Sequence, residues 1–122
     1  MRLLVFDSSF LIAVVEHPTS WYEDIVERIG KFDPVILECV KWELERITSR
    51  PTRRGRFAAL ALEAAKSFQS EKCGGASTDA EIISFAKSHN AAVATVDGQM
   101  VKRLRRMKVV VFTLRSGRVA LS

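Results

Sequence analysis

Short apolar runs alternate along the chain with longer stretches in which apolar residues recur every three or four positions. A continuous apolar run predicts a strand that is buried on both faces, and a period of three to four predicts an amphipathic helix. The predicted strands are residues 3–6, 34–37, 91–96, 109–113 and 119–121. A turn at Ser116-Gly117 is expected to join the last two strands.

Six helices are predicted between these strands. Ser8 and Ser9 are expected to cap the first helix, over residues 10–15, and the second runs toward Gly30, a natural stop signal. The other predicted helices are residues 39–48, 54–69, 78–89 and 98–107. This alternation of strands and helices predicts the α/β class with a largely parallel sheet.

Length and composition fit one folded domain without a membrane segment. The chain has 122 residues, of which 48% are hydrophobic and 27% charged. No apolar run approaches the length of a membrane span, and the first run ends too early for a signal peptide. We therefore expect a cytoplasmic protein. In that compartment Cys39 and Cys73 are expected to be free thiols, and their wide spacing argues against a zinc site.

Basic residues exceed acidic ones, with 19 Lys and Arg against 14 Asp and Glu and a net charge of +5. They form two clusters, one at residues 50–56 and one at residues 102–108. Each cluster alone is typical of a solvated surface. The overall excess favours a polyanionic partner.

Two aspartates directly follow predicted strands. Asp7 comes after the first strand, and Asp97 comes after the third. The carboxyl ends of parallel strands meet at one edge of a sheet, where open α/β sheets bind their ligands. Both residues also precede predicted helices, so for either one alone the capping of free backbone amides is the commoner role.

Helical phase separates two further acids from their neighbours. Glu43 and Asp79 fall on or beside apolar helix faces, whereas Glu45 and Glu81 fall on polar faces and are expected to be solvated. Thr78 and Glu81 have the spacing of a capping box. Buried charges are costly, and converging carboxylates repel one another unless a cation is present. An all-oxygen set of this kind favours Mg²⁺ or Mn²⁺.

The stretches around these four acids resemble the PIN domain, a family of metal-dependent nucleases with a three-layer α/β/α fold. They are Phe6-Asp7-Ser8-Ser9-Phe10, Val40-Lys41-Trp42-Glu43-Leu44-Glu45, Thr78-Asp79-Ala80-Glu81-Ile82 and Ala94-Thr95-Val96-Asp97. The resemblance covers essentially the whole chain, residues 1–122. The chain is similar both to the ribosomal-RNA-processing branch of the family and to the VapC toxins. Ser9 stands where relatives often have Asn.

The resemblance implies hydrolysis of RNA phosphodiester bonds at a site holding one or two Mg²⁺ or Mn²⁺ ions. Its implied catalytic residues and metal ligands are Asp7, Glu43, Asp79 and Asp97. Ser8 and Thr95 would orient these carboxylates. The expected RNA-binding residues are Arg53, Arg54, Arg56, Lys102, Arg103, Arg105 and Arg106. An antitoxin protein and a second copy of the chain are the implied protein partners.

Two other functions are compatible with the sequence. One is a catalytically silent PIN module that binds RNA through its basic faces. The other is a metal-dependent phosphatase on a similar sheet, which would need a compact glycine-rich phosphate loop after a strand. Gly74-Gly75 is not placed as such a loop, and the intact set of four acids disfavours the silent module.

Overall fold

Six strands form one sheet in the computed structural model, which describes residues 2–122. They are β1 (Arg2–Phe6), β2 (Phe32–Leu37), β3 (Gln69–Glu71), β4 (Ala92–Ala94), β5 (Val111–Arg115) and β6 (Arg118–Leu121). Their spatial order is β3-β2-β1-β4-β5-β6. All neighbouring strands are parallel except β5 and β6, which form an antiparallel hairpin. The predicted α/β class with a mainly parallel sheet is confirmed.

Six helices cover the sheet within the same residues. They are α1 (Ser8–Glu16), α2 (Trp21–Ile29), α3 (Glu38–Thr48), α4 (Arg53–Ala64), α5 (Thr78–His89) and α6 (Gly98–Arg106). Helices α1, α3 and α4 pack against one another, whereas α5 lies on β1 and β4 and α6 lies on β5. Because crossovers between parallel strands are right-handed as a rule, the strand order assigns the first four helices to one face of the sheet and the last two to the other. None of these helices is long and apolar enough to cross a bilayer.

Strand β1 lies in the middle of the sheet because its apolar side chains can be covered on both faces. Leu4, Val5 and Phe6 are fully buried. The ring of Phe6 lies 5.8 Å from that of Phe10 and 5.5 Å from that of Trp21, so the start of α1 and the start of α2 are both anchored on this strand. This packing fixes the position of Asp7, the next residue after β1.

The predicted helix at residues 54–69 is shorter in the structure. Helix α4 ends at Ala64, and Gln69–Glu71 instead form the edge strand β3. Strand β3 pairs in parallel with the last three residues of β2. The prediction failed here because an edge strand does not need apolar residues, so Gln, Ser and Glu carried no hydrophobic signal.

The prediction of two free thiols was also wrong. Cys39 and Cys73 form a disulfide, with their Cα atoms 6.1 Å apart. Leu37 pairs with Glu71 across neighbouring strands β2 and β3, and each cysteine lies two residues beyond its strand partner. The 34-residue separation in sequence therefore concealed a short distance in space. The bond ties the first turn of α3 to the loop that leads to α5.

The start of α5 differs from the predicted capping box. Ser77, and not Thr78, is the N-cap residue, and its hydroxyl accepts from the backbone N–H of Ala80. Glu81 accepts from the N–H groups of Gly74 and Ala76, at 2.7 and 3.1 Å. Glu81 is thus bound to the loop and is not the freely solvated acid that its helical phase predicted, whereas Glu45 is exposed as expected.

Candidate active site

Asp7 lies where β1 ends and α1 begins, at the carboxyl edge of the central strand. Its side chain is buried, with 6% of the residue exposed. Oδ2 accepts two hydrogen bonds of 2.7 Å, from the hydroxyl groups of Ser9 and Thr95. Asp7 occupies the N-cap position of α1, yet its carboxylate makes no capping bond. The capping role open to Asp7 from sequence is therefore not the role it has here.

Serine hydroxyls at the start of α1 bind acidic side chains, and do not cap the helix as expected. Ser8 Oγ donates to Glu43 Oε1 on α3. Ser9 Oγ, besides donating to Asp7, accepts from the backbone N–H of Val96 at 3.2 Å. Ser9 thereby links β1 to the segment after β4. The sequence did not predict this bridging role of Ser9, although a residue two positions after Asp7 is close enough to bind its carboxylate.

Asp97 combines a capping role with a place at the edge of the site. Its Oδ1 accepts from the backbone N–H groups of Gln99 and Met100, at 2.9 and 3.3 Å, which caps α6. Its own N–H donates to Thr95 Oγ1 at 3.1 Å. The fully buried Thr95 thus contacts both aspartates, donating to the Asp7 carboxylate and accepting from the Asp97 amide.

Asp79, in the first turn of α5, is close enough to the other three acids to interact with them electrostatically. Burial raises the pKa of its carboxyl most, and repulsion from Asp7 and then Asp97 raises it further. Glu43 adds a smaller repulsion, while the nearby Arg103 guanidinium lowers the pKa. Carboxylates from four separate segments of the chain therefore share one electrostatic environment.

The four acids form an open cluster and not a closed ligand shell. Across residues 2–122, no three acidic, histidine or cysteine side chains are already arranged as a metal-binding group. The donor chemistry nevertheless fits a hard divalent cation, because the cluster offers carboxylate oxygens and no thiolate or imidazole. Two of the four carboxylates are oriented by hydroxyl donors, the kind of support that ligating groups commonly have.

The basic residues proposed from sequence fall into separate groups. Arg103 lies near Asp79, and Arg54 lines a cleft together with Asp97. Arg53 instead stacks over the Phe57 ring at 5.4 Å, and Arg56 is exposed. A different groove, away from the acids, is lined by Lys102, Arg105 and Arg106. Arg54 and Arg103 are thus the two candidates that the fold places beside the acidic cluster.

Replacing Asp79 with Asn should stabilise the metal-free protein at neutral pH, by a small amount because the side chain is only half-buried. The raised pKa means that the folded state favours the protonated carboxyl. The destabilisation caused by burial and repulsion is therefore fully present above the folded pKa, diminishes as the pH falls through that pKa, and is gone below the ordinary value of 3.8. Thermal melts in EDTA should show an advantage for the variant at pH 7 that disappears near pH 3.5.

The exposed residue Glu45 offers a matched control for that comparison. Glu45→Gln removes one negative charge from α3 without touching the acidic cluster, so its melting temperature should follow that of the wild type. A wild type that is at least as stable as Asp79→Asn at pH 7 in EDTA would contradict a raised pKa for Asp79, which burial and the other three acids together produce.

The chain belongs to the PIN-like domain family. The family model described as "PIN like domain" matches residues 4–117, which include all four acids. Among curated proteins, the chain is similar to "Ribonuclease VapC4" from Methanocaldococcus jannaschii, with 30% identity over 120 residues, covering 94% of this chain and 92% of the relative. The family expected from the sequence motifs is confirmed.

Solved structures show the same fold. The PIN domain endonuclease Utp24 superposes with a TM-score of 0.78 at 21% identity, covering 98% of this chain and 90% of that one. VapBC2 from Rickettsia felis, solved with a DNA fragment from its promoter, gives a TM-score of 0.70 at 13% identity, covering 93% of this chain and 100% of that one. At these identities the likeness concerns the fold alone.

Proposed function

We propose that this protein is a metal-dependent endoribonuclease. The observation that carries the proposal is the meeting of Asp7, Glu43, Asp79 and Asp97 at the carboxyl edge of β1 and β4, with mutual repulsion acting on Asp79. A fold that keeps like charges together loses stability unless they serve a bound cation. Membership of the PIN-like family and similarity to a VapC ribonuclease support RNA as the substrate.

The four carboxylates would hold one or two Mg²⁺ or Mn²⁺ ions. Such an ion supplies charge that offsets the negative charge developing on the phosphoryl oxygens and lowers the pKa of a bound water. The chain's own hydroxyls fix the carboxylates: Thr95 and Ser9 hold Asp7, and Ser8 holds Glu43. No side-chain nucleophile is required.

Basic side chains would hold the RNA backbone against an acidic site that repels it. Arg54 and Arg103 flank the acids from α4 and α6, where they can contact the phosphates nearest the cleaved bond. The outer face of α6 presents Lys102, Arg105 and Arg106 to more distant phosphates. Binding should therefore weaken steeply with salt and show little sequence preference from these contacts.

An antitoxin protein and a second copy of the chain are proposed as protein partners. The similarity to a VapC ribonuclease, along most of both chains, supports an antitoxin. Trp42 on α3 and Leu60 on α4 are each 54% exposed, so each of these two packed helices offers a large apolar side chain to a protein partner. A role in RNA maturation is the other biological setting for the same chemistry.

Cleavage of single-stranded RNA tests the proposed activity. The wild type should cut a labelled RNA in Mn²⁺ or Mg²⁺ and should leave it intact in EDTA, with activity restored when the metal is added back. Binding of the same RNA in EDTA, measured by fluorescence anisotropy, distinguishes an active endoribonuclease from a catalytically silent RNA-binding module. RNA that is bound but never cut in either metal would identify the silent RNA-binding module instead.

A further inference from the structure

A cleft of about 310 Å³ adjoins the acidic cluster along one face of α1. Ser9, Ile12 and Glu16 line it, at the spacings that bring helical residues onto one face. Ser9 contacts Asp7 at one end, and Glu16 lies two turns further on, about 10 Å along the helix axis. Asp97 also lines the cleft, so it is continuous with the proposed catalytic centre.

The lining of the cleft combines cationic, apolar and acidic side chains. Arg54 of α4 contributes a cation, and the side chains of Ile12, Ala13 and Val96 contribute apolar surface. Glu16 contributes a carboxylate, which can only accept hydrogen bonds when ionised. His17 Nε2 lies 3.7 Å from Glu16 Oε1, too far for a strong hydrogen bond, so the carboxylate keeps its capacity to accept.

A nucleotide of single-stranded RNA offers a matching set of groups. Its phosphate is an anion, the faces of its base are apolar, and the edge of the base carries hydrogen-bond donors and acceptors. The cleft volume of about 310 Å³ lies at the lower end of the range for sites that hold small organic groups, which suits one nucleotide.

We propose that this cleft binds one nucleotide next to the cleaved bond, with Arg54 on its phosphate and Glu16 on the edge of its base. Glu16 accepts from an exocyclic amino group, as carboxylates do from cytosine N4. Adenine, cytosine and guanine carry such a group. Uracil presents carbonyl oxygens on both sides of its one edge N–H, and these would face the carboxylate. The subsite rests on the proposed ribonuclease activity and adds a base preference to it.

The test uses a uridine RNA oligomer with one central adenosine, cytidine or guanosine, compared with the all-uridine oligomer. The wild type in Mn²⁺ should concentrate cleavage beside the amino-bearing base, by roughly tenfold over the all-uridine RNA, since one such contact discriminates at about that level. Glu16→Gln should lose this preference, because its amide can also donate to uracil. Anisotropy in EDTA with the same oligomers should show the same preference in binding.

Two further variants make the outcome specific. Glu63→Gln, an exposed position on α4 outside the cleft, should keep the wild-type preference. Arg54→Gln should weaken binding of every oligomer without changing their order. Equal cleavage of all oligomers by the wild type, or an unchanged preference in Glu16→Gln, overturns the subsite. If the wild type cuts no RNA, the ribonuclease proposal fails, and the binding preference in EDTA still decides for or against the cleft.

Discussion

Asp7→Asn is expected to lose more than about 100-fold of the metal-dependent RNA cleavage, since even the outer partners of metal ligands commonly contribute 10- to 100-fold. The buried Asp7 carboxylate lies at the end of the central strand, and its Oδ2 accepts hydrogen bonds from the hydroxyl groups of Ser9 and Thr95. An amide of the same shape keeps the packing but removes the negative charge that a divalent cation needs. Initial cleavage rates in Mn²⁺ measure the loss.

Glu45→Gln is the matched control for that variant. Glu45 lies on α3 like Glu43, but it is exposed and faces away from the cluster. Its replacement removes the same charge from the protein, so cleavage should stay within a factor of about two. Circular dichroism melts establish that both variants are folded. Equal activity of Asp7→Asn and Glu45→Gln would contradict a catalytic role for Asp7.

Gly55→Ala is expected to destabilise the protein by about 3 kcal/mol, although Ala normally improves a helix. Gly55 is buried in the first turn of α4, and its backbone N–H donates to the Thr52 cap at 3.0 Å. A Cβ at this position would overlap the carbonyl oxygen of Arg50 and lie 3.0 Å from that of Ile47. Both neighbours are backbone atoms, so no side-chain rotation relieves the overlap.

Gly98→Ala separates this effect from the general consequence of losing a glycine. Apart from its chain neighbours and the backbone of its own helix, no atom lies within 4 Å of the position that a Cβ on Gly98, the first residue of α6, would take. The variant should match the wild type or gain up to about 1 kcal/mol. Urea denaturation gives both values from the midpoints. If the two variants have the same midpoint, the close approach of α3 and α4 at Gly55 does not limit stability.

The central strands and the location of the acids could be predicted because both depend on local pattern. Strand β4 and residues 3–6 of β1 are apolar. Asp7 directly follows β1 and Asp97 comes three residues after β4, so both must lie near the same edge of a parallel sheet. Helical phase separated Glu43 from Glu45 for the same reason, since the period of a helix determines which side chains face inward.

Features that depend on which elements become neighbours could not be predicted in this way. The Cys39–Cys73 bond requires β2 and β3 to be adjacent, and the polar strand β3 had no hydrophobic signature. The sequence predicted Ser9 to be a helix cap, because its bond to the Val96 N–H exists only when β4 lies beside β1. Nothing in the sequence singled out Glu16, because its cleft exists only where α1, α4 and the segment after β4 come together.

Titration with Mn²⁺, followed by electron paramagnetic resonance of the free ion, tests most directly whether the four acids form one cation site. The wild type should bind one or two ions saturably, Asp7→Asn should bind at least about tenfold more weakly, and Glu45→Gln should match the wild type. A wild type that binds no Mn²⁺, or an Asp7→Asn variant that binds it equally well, would contradict the assignment of Asp7, Glu43, Asp79 and Asp97 as a metal centre.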